Sequence, residues 1–476
     1  MPESRKSFIR SIIGFSISSW IGFIIGIISV PILTRLLNPV QFAVINQFNA
    51  AVLFFLSLVT LGMDSGFVRF FFEPPTGFTK NQLLGKCLLF SVMLLMFLAV
   101  FCIPFYSRLA NILFGIDNWL ISLFFFVAIL SHIIIRFFTI YYRMINNIIA
   151  FTVVAVVLQL VSKFSLLAAL PFNGDKILLL AANTLGLLIL SIGIFLTNTK
   201  NHTFSWSSNP LWKSKEFTKY SLGSWFVPVV IYANIYFSQI VVRHFAGENI
   251  LGIYLSASIF AGILGVVQSG FTNYWSAYMF ENYDKNQSLI KRMHDYVSLF
   301  SVLALCGFIL MKDVLYLFIG PQFQASKQIF ALVLAAPLFN MIGETTAYGI
   351  SIKNKAHLSL FSYLSFLILN LVLACIFVPI WGMFGAALSL MISALVNLIQ
   401  QTLFGQKYYR SVESLKRTAF ATGVIVLLSL INYRFDGDKF MTISLTISII
   451  LLSLIVYFKP LKYALVLIQS SNLKNT

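Results

Sequence analysis

The sequence predicts an all-α polytopic membrane protein of about fourteen transmembrane helices, built as two six-helix lobes in parallel repeat plus two C-terminal helices. Three observations predict it. First, 59% of the 476 residues are hydrophobic and only 10% are charged, with a mean hydropathy of +0.89, which leaves too few charges to clothe a soluble globule of this size. Second, the apolar residues run in blocks of about 18 to 22 rather than alternating over ten-residue segments. Lipid cannot satisfy backbone amides, so such blocks are helices. Third, a helix junction near residue 35 recurs in altered form near residue 243.

The first helix is read over 13–34. No charge falls between Phe15 and Leu33, and at about 1.5 Å per residue that stretch nearly crosses a hydrocarbon core of about 30 Å. The preceding MPESRKSFIR looks like a signal peptide, but the apolar run is long, lacks a small-residue cleavage site and leads into further spans, so it is read as retained. Five windows follow near 41–61, 84–105, 119–138, 148–170 and 177–197. Six more lie near 219–242, 249–272, 295–312, 326–350, 358–378 and 382–405, and a last pair near 418–433 and 440–458. Most Lys and Arg residues fall in alternate connections, which by the positive-inside rule puts both termini in the cytoplasm. The most polar connection, 198–217 with Lys200, Lys213 and Lys215, divides the chain. The expected parts are an N-terminal lobe over 1–205, a C-terminal lobe over 206–410, and two peripheral helices with a tail over 411–476.

Composition also excludes functions. A net charge of +18 would suit a nucleic-acid partner only if basic residues clustered on a soluble surface, and here they fall between spans. Cys87, Cys102, Cys306 and Cys375 sit in or beside apolar runs without CxxC spacing and read as small hydrophobic fillers. The five histidines are scattered, no Walker motif or nucleophile elbow is present, and no cofactor is expected. Asp436 and Asp438 spell the DxD of many glycosyltransferases, but they occupy a short turn between the last two helices, on the predicted outer side where sugar nucleotides are absent. Turn chemistry explains them better.

The repeat rests on RLLNPVQFAVI at 35–45 and RHFAGENILGI at 243–253, each a basic residue, a short turn with Pro or Gly, and a return to apolar helix. Two six-helix lobes in parallel repeat are a transporter design. PILTRLLNPVQFAVINQF (31–48), TLGMDSGFVRFF (60–71), LGIYLSASI (251–259), SGFTNYWSAYMF (269–280) and VPIWGMFGAALSLMIS (378–393), in that order and spacing, resemble the Wzx-type flippases. These form the polysaccharide-exporting branch of the multidrug, oligosaccharidyl-lipid and polysaccharide exporter superfamily. Ala43 departs from the pattern, because such turns usually carry glycine. The resemblance implies a bacterial inner-membrane protein that flips undecaprenyl-diphosphate-linked oligosaccharide to the outer leaflet by alternating access. A buried carboxylate in a span could take up a proton or a sodium ion to drive the cycle, and polysaccharide polymerase machinery is a candidate partner. The nearest transport rival is a cation-coupled multidrug antiporter of the same superfamily.

A lipid diphosphate needs fixed positive charge away from lipid, and each ionisable residue inside a span costs about 2.5 to 3.5 kcal/mol, so it requires a reason. At 100° per residue, Thr152, Gln159 and Lys163 fall within about 40° of one another, one polar stripe on the fifth helix. Lys163 is the first diphosphate candidate, against the alternative that it snorkels or bonds a neighbouring helix. Arg35 and Arg243, at equivalent turns, could form a basic rim or merely anchor helix ends. Arg69 and Arg136 could meet the diphosphate near the cytoplasmic side, although positive-inside placement explains them equally well. Gly62 and Gly66 have GxxxG spacing for close helix approach. Ser224, Asn234 and Ser238 share an arc of about 80° with Tyr220 on the seventh helix, and Gln268 sits late in the eighth. These, with Gln159, are sugar-contact candidates or helix-packing groups. Glu344 is the acidic residue well inside a span, read as an ion-coupling group or as a structural partner, for instance of Lys163. Pro337 is expected to kink its helix.

Overall fold

A computed structural model describes residues 20–22, 24–172, 175–200 and 214–463. The beginning of the first expected helix, residues 201–213 of the central polar connection and the end of the tail lie outside the described residues. The described chain is helical throughout and contains no strand. In order it forms α1 (Trp20–Leu36), α2 (Pro39–Thr60), α3 (Met63–Arg69), α4 (Lys80–Cys102), α5 (Tyr106–Phe114), α6 (Trp119–Met144), α7 (Ile148–Phe164), α8 (Lys176–Lys200) and α9 (Lys215–Asn282). Then come α10 (Gln287–Leu310), α11 (Lys312–Tyr316), α12 (Phe330–Thr346), α13 (Tyr348–Ile352), α14 (Ala356–Trp381), α15 (Met383–Tyr408), α16 (Leu415–Arg434) and α17 (Lys439–Val456).

Among the described residues, eleven helical stretches are long and apolar enough to cross a membrane, and a pair bent by 63°, Pro321–Gln328 with α12, brings the number to twelve. The protein is therefore a multi-pass membrane protein. At about 1.5 Å per residue, the 68 residues of α9 would reach far beyond a bilayer in one piece, and its backbone leaves helical geometry at Gly247, with φ 87° and ψ 167°. That break falls within 243–253, so α9 contains both the seventh and the eighth expected helices. With α1 counted as well, the fourteen expected windows are compatible with the described helices. α12 runs through Pro337, and the 63° bend precedes it at Ile329, between the short 3-10 segment and α12.

By internal packing the chain separates into two compact units, Met1–Ile240 and Val241–Thr476. This grouping reflects which helices touch, a property distinct from the sequence repeat. In the first unit, α2 starts at a capping box. The Asn38 side chain accepts from the Gln41 backbone N–H at 2.9 Å, the Gln41 side chain accepts from the Asn38 N–H at 2.9 Å, and Pro39 occupies the first turn where its missing donor costs nothing. An aromatic core of Phe48, Phe55, Phe114 and Phe125 joins α2, α5 and α6, with ring centroids 5.1 to 6.1 Å apart.

The second unit is tied together by buried polar groups. His294 on α10 bonds Thr345 on α12 through Nδ1 at 2.7 Å and Thr418 on α16 through Nε2 at 2.8 Å. Next to it, Arg417 pairs with Asp295, whose side chain is fully buried, and the Tyr457 hydroxyl at the end of α17 donates to the Arg417 carbonyl at 2.9 Å. Lys312 donates to Asn432 at 2.8 Å and to Asp436 at 2.6 Å. Asp438 caps α17 by accepting from the Met441 N–H at 3.0 Å, so both aspartates of the DxD sequence are engaged in helix-end chemistry. Asp313, on the short α11, pairs with Lys327 and Lys439, and hydrogen bonds from these two ammonium groups hold its carboxyl down to about 2. α16 and α17 are thus fastened to the unit near both of their ends.

Removing one partner of a buried pair strands the other charge. Asp295→Ala is expected to destabilise the protein by about 3 kcal/mol, read as a lowered melting temperature in detergent, with Asp295→Asn losing less because it still accepts from Arg417.

Candidate functional site

The first unit holds a small cleft, lined by apolar and polar groups, where a spanning helix is interrupted. α2 ends and α3 begins through two consecutive left-handed residues, Leu61 at φ 43° and Gly62 at φ 73°. A left-handed leucine is costly, and such strain gathers at functional sites. The N-terminal part of α9 presses onto this break. A Cβ on Gly62 would lie 2.0 Å from the Ser221 carbonyl oxygen, and one on Gly66 would lie 2.1 Å from Ser221 Oγ and 2.9 Å from the Phe217 ring. The Gly62 and Gly66 pair therefore serves close helix approach, as its spacing predicts. Trp225 completes the contact by donating from Nε1 to the Ser57 carbonyl at 2.7 Å.

Asp64, in the first turn of α3, is buried and accepts from Arg136 on α6, with Nε at 2.7 Å and Nη2 closer still on the same oxygen, Oδ2. Its other oxygen accepts from the Ser65 backbone N–H at 2.9 Å. Ser57, Thr60, Ser224, Trp225 and Tyr232 line the cleft together with this pair. Of the sequence candidates, Arg136 and Ser224 meet here. Asp64 was missed, because within GMDSG a lone acid reads as turn or helix-start chemistry. Its signal was the carboxylate itself, lying close in sequence to the end of a predicted span.

The remaining first-unit candidates lie elsewhere. Arg69 is exposed, paired with Glu73 at 3.8 Å and set over the Phe70 ring at 5.4 Å, a surface arrangement. Arg35 is exposed at the end of α1. Asn234 is buried, and the Ser238 hydroxyl donates back to the Asn234 carbonyl at 2.5 Å, so this pair does not join Ser224 at the cleft. Gln159 lies against Gly22 of α1, its amide 3.6 Å from where a Cβ would be. Lys163 occupies the last turn of α7, half-buried within the span Ile148–Pro171, and makes no hydrogen bond or ion pair among the described residues. On the same stripe, Thr152 Oγ1 is buried without a hydrogen-bond partner.

The second unit carries its own polar group. Glu344 on α12 is half-buried beside the Thr272 and Gln268 side chains of α9, so two residues singled out separately in the sequence are brought together. Within electrostatic reach lie Tyr348 and Tyr363. Arg243 is half-buried at the beginning of this unit, a turn ahead of the Gly247 break.

The described chain is an all-helical bundle with an interrupted span, a paired charge at the interruption and polar groups inside apolar helices, and its fold is similar to those of solved membrane transporters. It resembles the lipid II flippase MurJ in an inward closed conformation, at 17% identity and a TM-score of 0.70 over 95% of this chain and 99% of that one. It also resembles a multidrug resistance MATE family transporter of the MOP superfamily in its inward-facing conformation, at 16% identity and a TM-score of 0.57 over 82% and 94% of the two chains. The outward-facing conformation matches at 16% identity and 0.55 over 85% and 96%. At such identities the likeness establishes the fold. No protein-family model matches the chain, and no curated protein sequence does.

The two glycines at the interruption answer differently to substitution. Gly66→Ala meets mainly a side-chain oxygen, so Ser221→Gly should recover part of its lost melting temperature. Gly62→Ala meets backbone, and Ser221→Gly should recover nothing.

Proposed function

We propose that this protein flips undecaprenyl-diphosphate-linked oligosaccharide repeat units from the cytoplasmic to the outer leaflet of the bacterial inner membrane, by alternating access, for surface polysaccharide synthesis. The observation that carries this reading is Lys163, a cation inside an apolar span with no partner among the described residues. An ammonium held there without a counter-ion is costly unless an anion visits it, and a lipid diphosphate is an anion that must cross the membrane. Support comes from the likeness, over nearly the full length of both chains, to a protein described as a lipid II flippase. The surface polysaccharide so supplied is an O-antigen, a capsule or an exopolysaccharide.

The proposal carries several further parts. The repeat lobes 1–205 and 206–410 are the moving bodies, with 411–476 peripheral. Both termini are cytoplasmic, and a polysaccharide polymerase receives the product. Glu344, poised with Gln268 and Thr272, takes up the proton or sodium ion that drives the cycle. The rival reading, a cation-coupled multidrug antiporter, draws on the MATE likeness and on the same carboxylate.

The deciding measurement is the leaflet distribution of lipid-linked oligosaccharide in cells with and without the protein. Build-up of complete units on the cytoplasmic side in its absence, reversed by the intact gene, supports the flippase. Normal arrival in the outer leaflet, in cells with no other flippase, rejects it and leaves the antiporter. Lys163→Ala is expected to abolish export at normal membrane abundance, and unchanged export would remove Lys163 from the site. Glu344→Gln should flatten the dependence of transport on the ion gradient, whereas retained dependence would make Glu344 structural.

A further inference from the structure

The Asp64–Arg136 pair is asymmetric. The Asp64 side chain is 9% exposed and that of Arg136 is 39% exposed. Both of Arg136's bonds to Asp64 leave from one edge of the guanidinium, Nε and Nη2, and both end on Oδ2. The remaining nitrogen, Nη1, has no hydrogen-bond partner among the described residues, and the group borders the cleft with Ser57, Thr60, Ser224 and Tyr232. A planar fork gripped along one edge and free along the other is the geometry that takes phosphate oxygens. Arg143 lies two turns further along α6, at seven residues on nearly the same face, exposed and close enough to feel the charge of Arg136.

Asp64 does two opposing things to that fork. It fixes the orientation of the guanidinium, and its own charge, at hydrogen-bond distance, offsets the field that an oxyanion would feel. An uncompensated guanidinium in a low-dielectric cleft would hold a diphosphate tightly, yet a transporter has to release what it binds. We propose that Asp64 is a positioning residue that sets the affinity of this cleft for the substrate's diphosphate, presenting Arg136 to it while keeping the complex weak enough to dissociate. This rests on the flippase reading and deepens it, because Arg136 then contributes through its free edge rather than as a whole cation.

The test uses the purified full-length protein in lipid nanodiscs and titrates farnesyl diphosphate, with farnesol as the control for the lipid tail and inorganic pyrophosphate as the control for the headgroup. Asp64→Asn keeps an acceptor for Arg136 and removes the charge, so it should bind farnesyl diphosphate at least about tenfold more tightly than wild type, a change of one unit charge at close range. Farnesol affinity should not move, and cells carrying the variant should export more slowly despite the tighter binding. A purely structural role would not raise affinity. Equal or weaker diphosphate binding by Asp64→Asn, with wild type binding normally, overturns the proposal and leaves the flippase reading standing. Wild type that does not distinguish farnesyl diphosphate from farnesol overturns it too, and the leaflet measurement then decides the flippase reading separately. Should Asp64→Asn fail to accumulate, the double variant Asp64→Asn with Arg136→Gln is compared with Arg136→Gln alone. The double variant should bind diphosphate more tightly, because the single variant leaves an opposing carboxylate, and equal binding overturns the proposal.

Discussion

The organising constraint is that a charge carried into a membrane-spanning bundle must find its partner inside the protein. Water is not there to supply one, and the interaction strengthens as the surroundings become less polar. Three pairings obey this constraint, and each joins helices distant in sequence: Asp64 to Arg136, Asp295 to Arg417, and Lys312 to Asp436 with Asn432. Around the second of these, His294 uses both ring nitrogens on threonines of two different helices. Such contacts specify which helices are neighbours in a way that apolar packing cannot, because one lipid-like surface fits another nearly as well as any.

Against that background the exceptions carry meaning. Lys163 has no partner among the described residues, and Arg136 has a partner for only one edge of its guanidinium. In the second unit Glu344 is met by an amide and a hydroxyl rather than by a cation. Groups left partly satisfied inside a bundle are where a visiting ligand or ion finds a partner. On the flippase reading proposed above, the groups of the first unit would meet a substrate diphosphate and Glu344 of the second a coupling ion.

The interruption between α2 and α3 shows how the backbone serves the same end. Two left-handed residues break the helix, and glycines on either side of Asp64 let α9 come within backbone contact. Trp225 then takes up a carbonyl that the break leaves available. The acid is thereby held at the start of a short helix, where the helix dipole favours a carboxylate and Arg136 can reach it from α6.

The sequence by itself determined that the protein is a bundle of membrane-spanning helices and where two of its junctions fall. Long uncharged runs have no other stable state in lipid, and Pro39 and Gly247 mark the junctions because neither can continue an ordinary helix there. It also pointed to Lys163, Arg136, Ser224, Gln268 and Glu344, since a polar group in an apolar run stands out. Only the tertiary structure decided which of these meet. Helical periodicity says which face a residue occupies and nothing about which helix that face touches. Ser224 and Asn234 therefore look alike in sequence, yet one lines a cleft and the other is buried. Asp64 became visible for the same reason. Its role comes from a guanidinium on another helix, and no local pattern encodes that distance.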